Sequence, residues 1–465
     1  MKIPTFLLAL IIIITAFTNA NAQHWNKIEG TDPYINTIYV TENEPDKIFV
    51  GADNDEIESP FNPINDVISF PQFGGGLYIS NDRGASFDDP KLTALSVYAV
   101  MQHPENNDTY FAAIRRMTRG GITTSNNAGN TWNETSPFLC DGSYQIMSMA
   151  TNNEHYPDIY AAGLKTDIGF FRTEDDFISC NTTESLKIQS RSVAVSPLID
   201  NLVFLAGDDF YSGGVFRSYD KGQAWIKDSS GIENLRIHCV VPSKYDAAVV
   251  FCGADSVTNA HEVIGKGIYM SRDTGRTWTN VGAFGASCFD IAEHPYQKEF
   301  VIAACGEHGV FLSGSEGWGY ENLSEGLPEG AIVTEVVFPF WTDVEPGKVV
   351  ALAGTYGDGL YKSNPIYTSV NSGKPLVKDI TINSIYPNPA RNNISMLISF
   401  REATTTLITL CDLYGNSIVD MNNKYFNSGD NIINIKIPDN VSNGVYYLTI
   451  KAGNNNITEI ISVLK

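Results

Sequence analysis

The feature that most constrains this chain is a phrase that returns along most of its length, a glycine-led, aromatic strand followed by Ser-x-Asp-x-Gly-x-x-Trp. Ser80-Asn81-Asp82-Arg83-Gly84-Ala85-Ser86-Phe87 is the first copy. Clear copies follow at Ser125-Asn126-Asn127-Ala128-Gly129-Asn130-Thr131-Trp132, Ser218-Tyr219-Asp220-Lys221-Gly222-Gln223-Ala224-Trp225 and Ser271-Arg272-Asp273-Thr274-Gly275-Arg276-Thr277-Trp278. Copies that keep less of it begin at Thr173 and Ser313, and a truncated one at Ser363. The starts lie about 45 residues apart, a period that belongs to solenoids, propellers and arrays. Each copy follows a β-rich run, such as 76–79 or 267–270, and precedes a second run led by an aromatic, so it reads as the tip of a hairpin. The aspartate is placed to accept backbone N–H groups of the turn, the glycine to supply a positive φ, and the Trp or Phe to pack back on the sheet. Asp82, Asp220 and Asp273 are therefore read as scaffold. In the third copy Phe177 takes the glycine position and Cys180 the tryptophan position, and the turn is expected to weaken there.

The pattern resembles the Asp-box (BNR) repeat of sialidases, sortilin-type receptors, xyloglucanases and the plastid photosystem II assembly factor, over about residues 24–365. That resemblance implies a β-propeller and no single activity, because those families do unrelated things on similar folds. One repeat reads in full as strands at 192–195, 203–206, 214–217 and 224–227, the four that a propeller blade needs. The last repeat stops early, with strands at 349–352 and 359–362 and then Asn364-Pro365. At the other end, His24-Trp25-Asn26-Lys27-Ile28 resembles an orphan fourth strand. Joining the two fragments completes a blade and removes an exposed sheet edge. The expected fold is all-β, a seven-bladed β-propeller over residues 23–366 followed by a small C-terminal β-sandwich.

That second domain is expected over residues 381–465, after a linker at 367–380 rich in Ser, Gly, Lys and Pro. Alternating runs at 394–400, 405–412, 432–437 and 445–450 suggest antiparallel strands. Tyr386-Pro387-Asn388-Pro389, Leu410-Cys411-Asp412-Leu413-Tyr414-Gly415, Asn443-Gly444-Val445-Tyr446-Tyr447-Leu448 and a last strand at 460–465 resemble the type A sorting domain of the Bacteroidetes type IX secretion system. The resemblance implies export through that translocon and its sorting machinery, with the cargo released or attached to surface lipopolysaccharide. Residues 1–22 read as a signal peptide: Lys2, an apolar run at 6–14, then Ala20-Asn21-Ala22 before Gln23. No cysteine follows the cut, so no lipoprotein anchor is expected, and no other apolar stretch is long enough to cross a bilayer. The expected location is secreted or on the outer face of the outer membrane.

A net charge of −22 argues against nucleic acid or an anionic membrane as partner. A monomer without membrane insertion is expected. Seven cysteines in an exported chain leave at least one unpaired. Cys252 and Cys305 precede glycine at matching places in successive repeats, where small buried residues are expected, so free core thiols are favoured. Bridges Cys239–Cys252 and Cys288–Cys305 are the alternative.

Two long loops between second and third strands, 53–74 and 254–266, fall on the face opposite the Asp-box turns, and such loops often carry function. The first holds Asp53, Asp55, Glu56, Glu58 and Asp66, the second Asp255, His261 and Glu262. Arg115, Arg116 and Arg119 form a basic cluster in the second blade's matching loop, suited to a carboxylate or phosphate. Clustered carboxylates suit glycoside cleavage or calcium, but the spacing of a calcium loop is missing. Asp53, Asp55, Arg115, Arg116, Arg119 and His261 are the candidate ligand-binding residues, with no catalytic residue, metal or cofactor assigned. A sialidase would need an early Arg-Ile-Pro, whereas Arg236-Ile237 is followed by His238 and lies mid-chain. Xyloglucanases set their cleft between two propellers, and one is encoded here. The expected function is a non-catalytic exported propeller that binds a glycan or a surface protein; the alternative is a glycoside hydrolase of the sialidase-like superfamily.

Overall fold

Between residues 24 and 463 the computed structural model describes all but 55–73, 117–118, 134–144, 152–156, 165–168, 180, 183–185, 187, 208–212, 228, 259–261, 345–347, 368–379, 387–389, 401–402, 412–416, 428, 439–440 and 453–454. The signal read at 1–22 lies outside the described residues. Two compact units make up the chain, Met1–Tyr367 and Thr368–Lys465. Every regular element among the described residues is a β-strand.

The first unit is a β-propeller, in which, among the described residues, seven antiparallel sheets of three or four strands follow one another. Their first strands run Ile35–Val40, Ser96–Gln102, Ile146–Thr151, Ser190–Val195, Arg236–Pro242, Asp290–Glu293 and Val333–Val337. Each touches the first strand of the next sheet, and the seventh touches the first, so together they ring an axis. Second strands are buried on both faces, as in Ile48–Ala52, Ile159–Gly163, Val203–Gly207 and Val301–Ala304, because each blade is sandwiched between two others. This is why they read as unbroken apolar runs rather than as alternating ones. The core accordingly lies in the clefts between blades. One such cluster joins Phe49, Leu77 and Ile79 of blade 1 to Val97, Val100, Tyr110 and Ala112 of blade 2. Small residues set the spacing: a Cβ on Gly253 would stand 2.2 Å from the carbonyl oxygen of Cys288 in the next blade.

The Asp-box turns have the geometry their residues imply. Asp273 accepts Ser271 Oγ at 2.8 Å, the N–H of Arg276 at 3.0 Å and of Thr277 at 2.8 Å, and Thr277 Oγ1 at 2.7 Å. Asp82 is held in the same way by Ser80 and Ser86. Two consecutive residues take positive φ in each turn, as at Arg83 and Gly84, Lys221 and Gly222, and Thr274 and Gly275. The third copy corrects the expectation of a weakened turn. Asp175 accepts Thr173 Oγ1 at 2.7 Å and the N–H of Ser179 at 2.8 Å, while Phe177 adopts φ 67°. Its ring is fully buried, edge-on to Phe111 at 5.4 Å, so packing against the preceding blade offsets the backbone strain of a non-glycine residue there.

The last blade is assembled from both ends of the unit. Trp25–Ile28 pairs with Gly359–Ser363, Trp25 opposite Ser363 and Ile28 opposite Leu360, as the fragment reading anticipated. Trp25 is fully buried and its Nε1 donates to Leu323 O at 2.7 Å in the neighbouring blade.

Cysteine chemistry departs in part from expectation. Cys239 and Cys252 are free buried thiols, and burial pushes both well above the ordinary thiol range. Cys305, however, is bridged to Cys288. The two flank the ladder between the first and second strands of blade 6, where Phe289 N donates to Ala304 O at 2.8 Å, and their Cα atoms are 3.9 Å apart. Cys140 and Cys180 lie outside the described residues.

The second unit has two sheets over one core. Ile380–Tyr386, Asn393–Phe400 and Gly429–Lys436 form the first; Ser417–Phe426, Thr404–Cys411, Gly444–Ala452 and Asn455–Val463 form the second. Ile394, Met396, Ile398 and Phe400 from one meet Ile408, Leu410, Leu448 and Ile450 from the other, all buried. Ile380–Tyr386 and Ser417–Phe426 are strands beyond those read from the sequence.

Candidate functional site

The hairpin face chosen from the sequence is built differently from a set of open loops. In blade 2 the strands Tyr110–Arg116 and Arg119–Ser125 stay paired up to Arg116 opposite Arg119, so the basic cluster sits on a β-ribbon. In blade 5 the strands Val250–Val257 and Val263–Ser271 occupy most of the segment read as a loop. Asp53 is buried at the end of the second strand of blade 1, where its carboxylate accepts Ser96 Oγ at 2.6 Å and Tyr356 Oη at 3.3 Å. It thereby ties three blades together. Arg115 Nη1 donates to Gln145 Oε1 at 3.2 Å, and Arg116 is exposed. The Arg119 side chain, Asp55 and His261 lie outside the described residues.

Asp255, from the second acidic segment, is buried and fully engaged. Arg236 Nε and Nη2 reach its two oxygens at 2.7 and 2.8 Å, and His238 Nε2 lies 2.8 Å from Oδ2. Burial alone would raise this carboxyl, but His238 and Arg236 outweigh it and hold Asp255 far below the ordinary carboxylate range. The Arg236-Ile237-His238 stretch noted for lacking proline is thus one half of a buried ion-pair cluster.

A second set of polar residues gathers where the sequence drew no attention, on the axis. Six of the seven first strands carry a register shift at their second or third residue, which is left unpaired. A bulge of this kind re-aims the side chain. The residues concerned are Asn36, Tyr98, Met147, Arg191, His238 and Thr334, and all line one axial cavity of about 280 Å³. Phe289, just before the first strand of blade 6, lines it too, and the next layer adds Ser148, Ser192, Asp290 and Glu335. Asn36 is 4% exposed, with neither amide atom hydrogen-bonded, and His238 Nδ1 is likewise unpartnered. Burial raises the Asp290 carboxyl to about 6, and burial together with the Asp290 charge raises Glu335 well above the ordinary carboxylate range. The signal that would have found this site is a polar or charged side chain at the same early position in the first strand of several repeats.

Among the described residues no group of three or more His, Cys, Asp or Glu side chains is placed to hold a metal ion, and no helix is long and apolar enough to cross a membrane.

In the second unit, residues 384–463 match the family model of the secretion system C-terminal sorting domain. The C-terminal unit is a secretion system sorting domain. Its presence marks the protein as one exported by type IX secretion, to the cell surface or beyond it, and links it to that machinery. The sorting domain's Tyr386 and Gly444 phrases fall inside the matched span; Pro387, Asn388 and Pro389 lie outside the described residues. No curated protein sequence matches the chain. Among solved structures, YCF48 from Cyanidioschyzon merolae is similar at 12% identity and TM-score 0.49, covering 73% of this chain and 98% of its own. PorZ, a surface component of the type IX secretion system of Porphyromonas gingivalis, is similar at 11% identity and TM-score 0.45, covering 95% of this chain and 61% of its own. The Niastella koreensis GH74 enzyme is similar at 13% identity and TM-score 0.47, with 91% and 65% covered. The chain therefore spans less than two thirds of the length of the last two.

Proposed function

We propose that residues 23–366 form a non-catalytic propeller that binds a glycan or a protein partner at the bacterial cell surface, exported as a monomer by a signal at 1–22 and the sorting domain at 381–465. The observation that carries the non-catalytic reading is the fate of the carboxylates on the hairpin face. Asp53 and Asp255 are consumed by Ser96, Tyr356, Arg236 and His238, and a carboxyl held as far down as Asp255 is a poor proton donor near neutral pH. Exposed Arg116 at the tip of the blade 2 ribbon, with Arg119 opposite it, remains the basic feature of that face and suits a carboxylate or phosphate on the partner.

One observation favours glycoside hydrolysis as a second reading: Asp290 and Glu335 are neighbouring carboxyls with raised pKa values, the kind of pair from which acid and base are made. A glycan array run beside a panel of chromogenic glycosides separates the two. Binding without turnover supports the first reading. Turnover abolished by Glu335→Gln overturns it. Export is tested separately: truncation after residue 370 in the native host should hold a folded propeller in the periplasm, and a truncated chain that still reached the surface would sink the delivery scheme.

A further inference from the structure

Four side chains in the second layer of the axial cavity share one structural task. Ser148 Oγ accepts the N–H of Val193 at 3.4 Å, Ser192 Oγ that of Val240 at 3.3 Å, and Asp290 Oδ2 that of Val336 at 3.1 Å. The Glu335 carboxyl accepts the N–H of Ile38 and the hydroxyl of Thr37. Each contact stitches one blade to the next. Between blades 3, 4 and 5 a serine hydroxyl suffices. Blades 6 and 7 put a carboxyl in the same place, which adds a second oxygen and a charge that the stitch does not need.

Burying such a charge is costly unless a cation answers it. Among the described residues no protein cation acts appreciably on either carboxyl, and burial is the largest influence on both. Asn36, on the adjoining blade 1, adds a buried amide with no hydrogen-bond partner, which is itself destabilising. Three consecutive blades thus present spare acceptor capacity to one cavity.

We propose that the axial cavity is a binding site for a small primary ammonium ion, held by Asp290, Glu335 and the Asn36 side-chain oxygen. An ammonium group carries three N–H donors and one positive charge, matching three acceptors of which two are carboxyls that give up their protons to solvent as the cation binds. Phe289 and Tyr98 add aromatic rings to the cavity wall, which suit a cation and its carbon substituent. Arg191, on the wall formed by blade 4, opposes a second positive charge, so a monoamine fits better than a diamine. A cavity of about 280 Å³ admits a small ligand and not a polymer.

The test uses the full chain at neutral pH, with ethanolamine as probe and tetramethylammonium, ethylene glycol and calcium as comparisons, read by titration calorimetry and by the shift in Tm. Ethanolamine should bind saturably and raise Tm. Tetramethylammonium has the charge without the donors, and ethylene glycol has donors without the charge, so both should fail. Glu335→Gln keeps the stitch to Ile38 and should weaken ethanolamine at least ~10-fold, the loss of one charge-assisted hydrogen bond. Asn36→Asp adds a third carboxyl and should tighten it, a reading that stands even if Glu335→Gln unfolds the ring. Absence of saturable ethanolamine binding, equal binding of tetramethylammonium or calcium, or unchanged affinity in Asn36→Asp would each overturn the proposal.

Discussion

Replacing Asp273 with alanine measures what an Asp-box carboxylate contributes. The side chain accepts four hydrogen bonds, from Ser271 Oγ, Arg276 N, Thr277 N and Thr277 Oγ1, all between 2.7 and 3.0 Å. At a net ~1 kcal/mol for each bond the sum would approach 4 kcal/mol, but the turn is exposed and water takes over the freed donors. The expected loss is therefore about 1–2 kcal/mol, a fall in Tm of roughly 1–3 °C for a unit of this size. The chain supplies its own control. In the second copy Asn127 stands at the aspartate position, accepting Thr131 N at 2.9 Å and donating Nδ2 to Thr131 Oγ1 at 2.9 Å. Asp273→Asn should accordingly cost less than half of Asp273→Ala. Urea and thermal unfolding of the full chain give both numbers, and neither variant should change ligand binding. Equal losses in the two variants, or lost binding at unchanged Tm, would refute the scaffold reading.

Stability should peak in mildly acidic solution. The folded-state carboxyl of Asp290 is raised by burial from 3.8 to about 6 and that of Glu335 is raised as well, so their contribution is fully present below the unfolded value and is lost as pH rises through the folded one. Asp82 acts in the opposite sense: hydrogen bonds from Ser86 and Ser80 hold it down to about 2, and its contribution is present above 3.8 and lost as pH falls toward 2. Urea midpoints measured from about pH 3 to about pH 8 should pass through a maximum, and a steady climb to the alkaline end would contradict the cavity assignment. Trp25→Ala should cost about 3–5 kcal/mol, the range for removing a buried aromatic, and should loosen the pairing of Gly359–Ser363 in hydrogen exchange. A loss below ~1 kcal/mol would mean that the strand does not close the ring.

The parts of the fold that were legible in the sequence are those made locally. An Asp-box turn is specified by eight consecutive residues, so its copies mark blade after blade. Where that reading erred, it gave the glycine too much weight: Thr173 and Asp175 keep the third turn, and Phe177 is held at positive φ by Phe111. The closing strand was legible because one repeat lacked a strand and the other end of the unit had one to spare. The cavity was not, since Asn36, His238, Asp290 and Glu335 come from four different blades. The bulge that turns Asn36 and His238 inward leaves no mark on composition. Cys288 and Cys305 were visible as a possible pair, but equivalence with Cys252 favoured free thiols, and only the ladder between their strands brings the sulfurs together.

The pairing of Trp25–Ile28 with Gly359–Ser363 has a consequence for the order of events. The strand synthesised first among the described residues joins the last sheet of the propeller, across 338 positions between Trp25 and Ser363 (363 − 25). Pairing at such separation must await nearly the whole unit and carries a large loop-closure entropy, so the ring shuts late. Until then the Gly359–Ser363 edge is unpaired and open to strands from other molecules. An unclosed ring is thus the state most exposed to mispairing, and trimming the few residues that begin at Trp25 would make that state permanent.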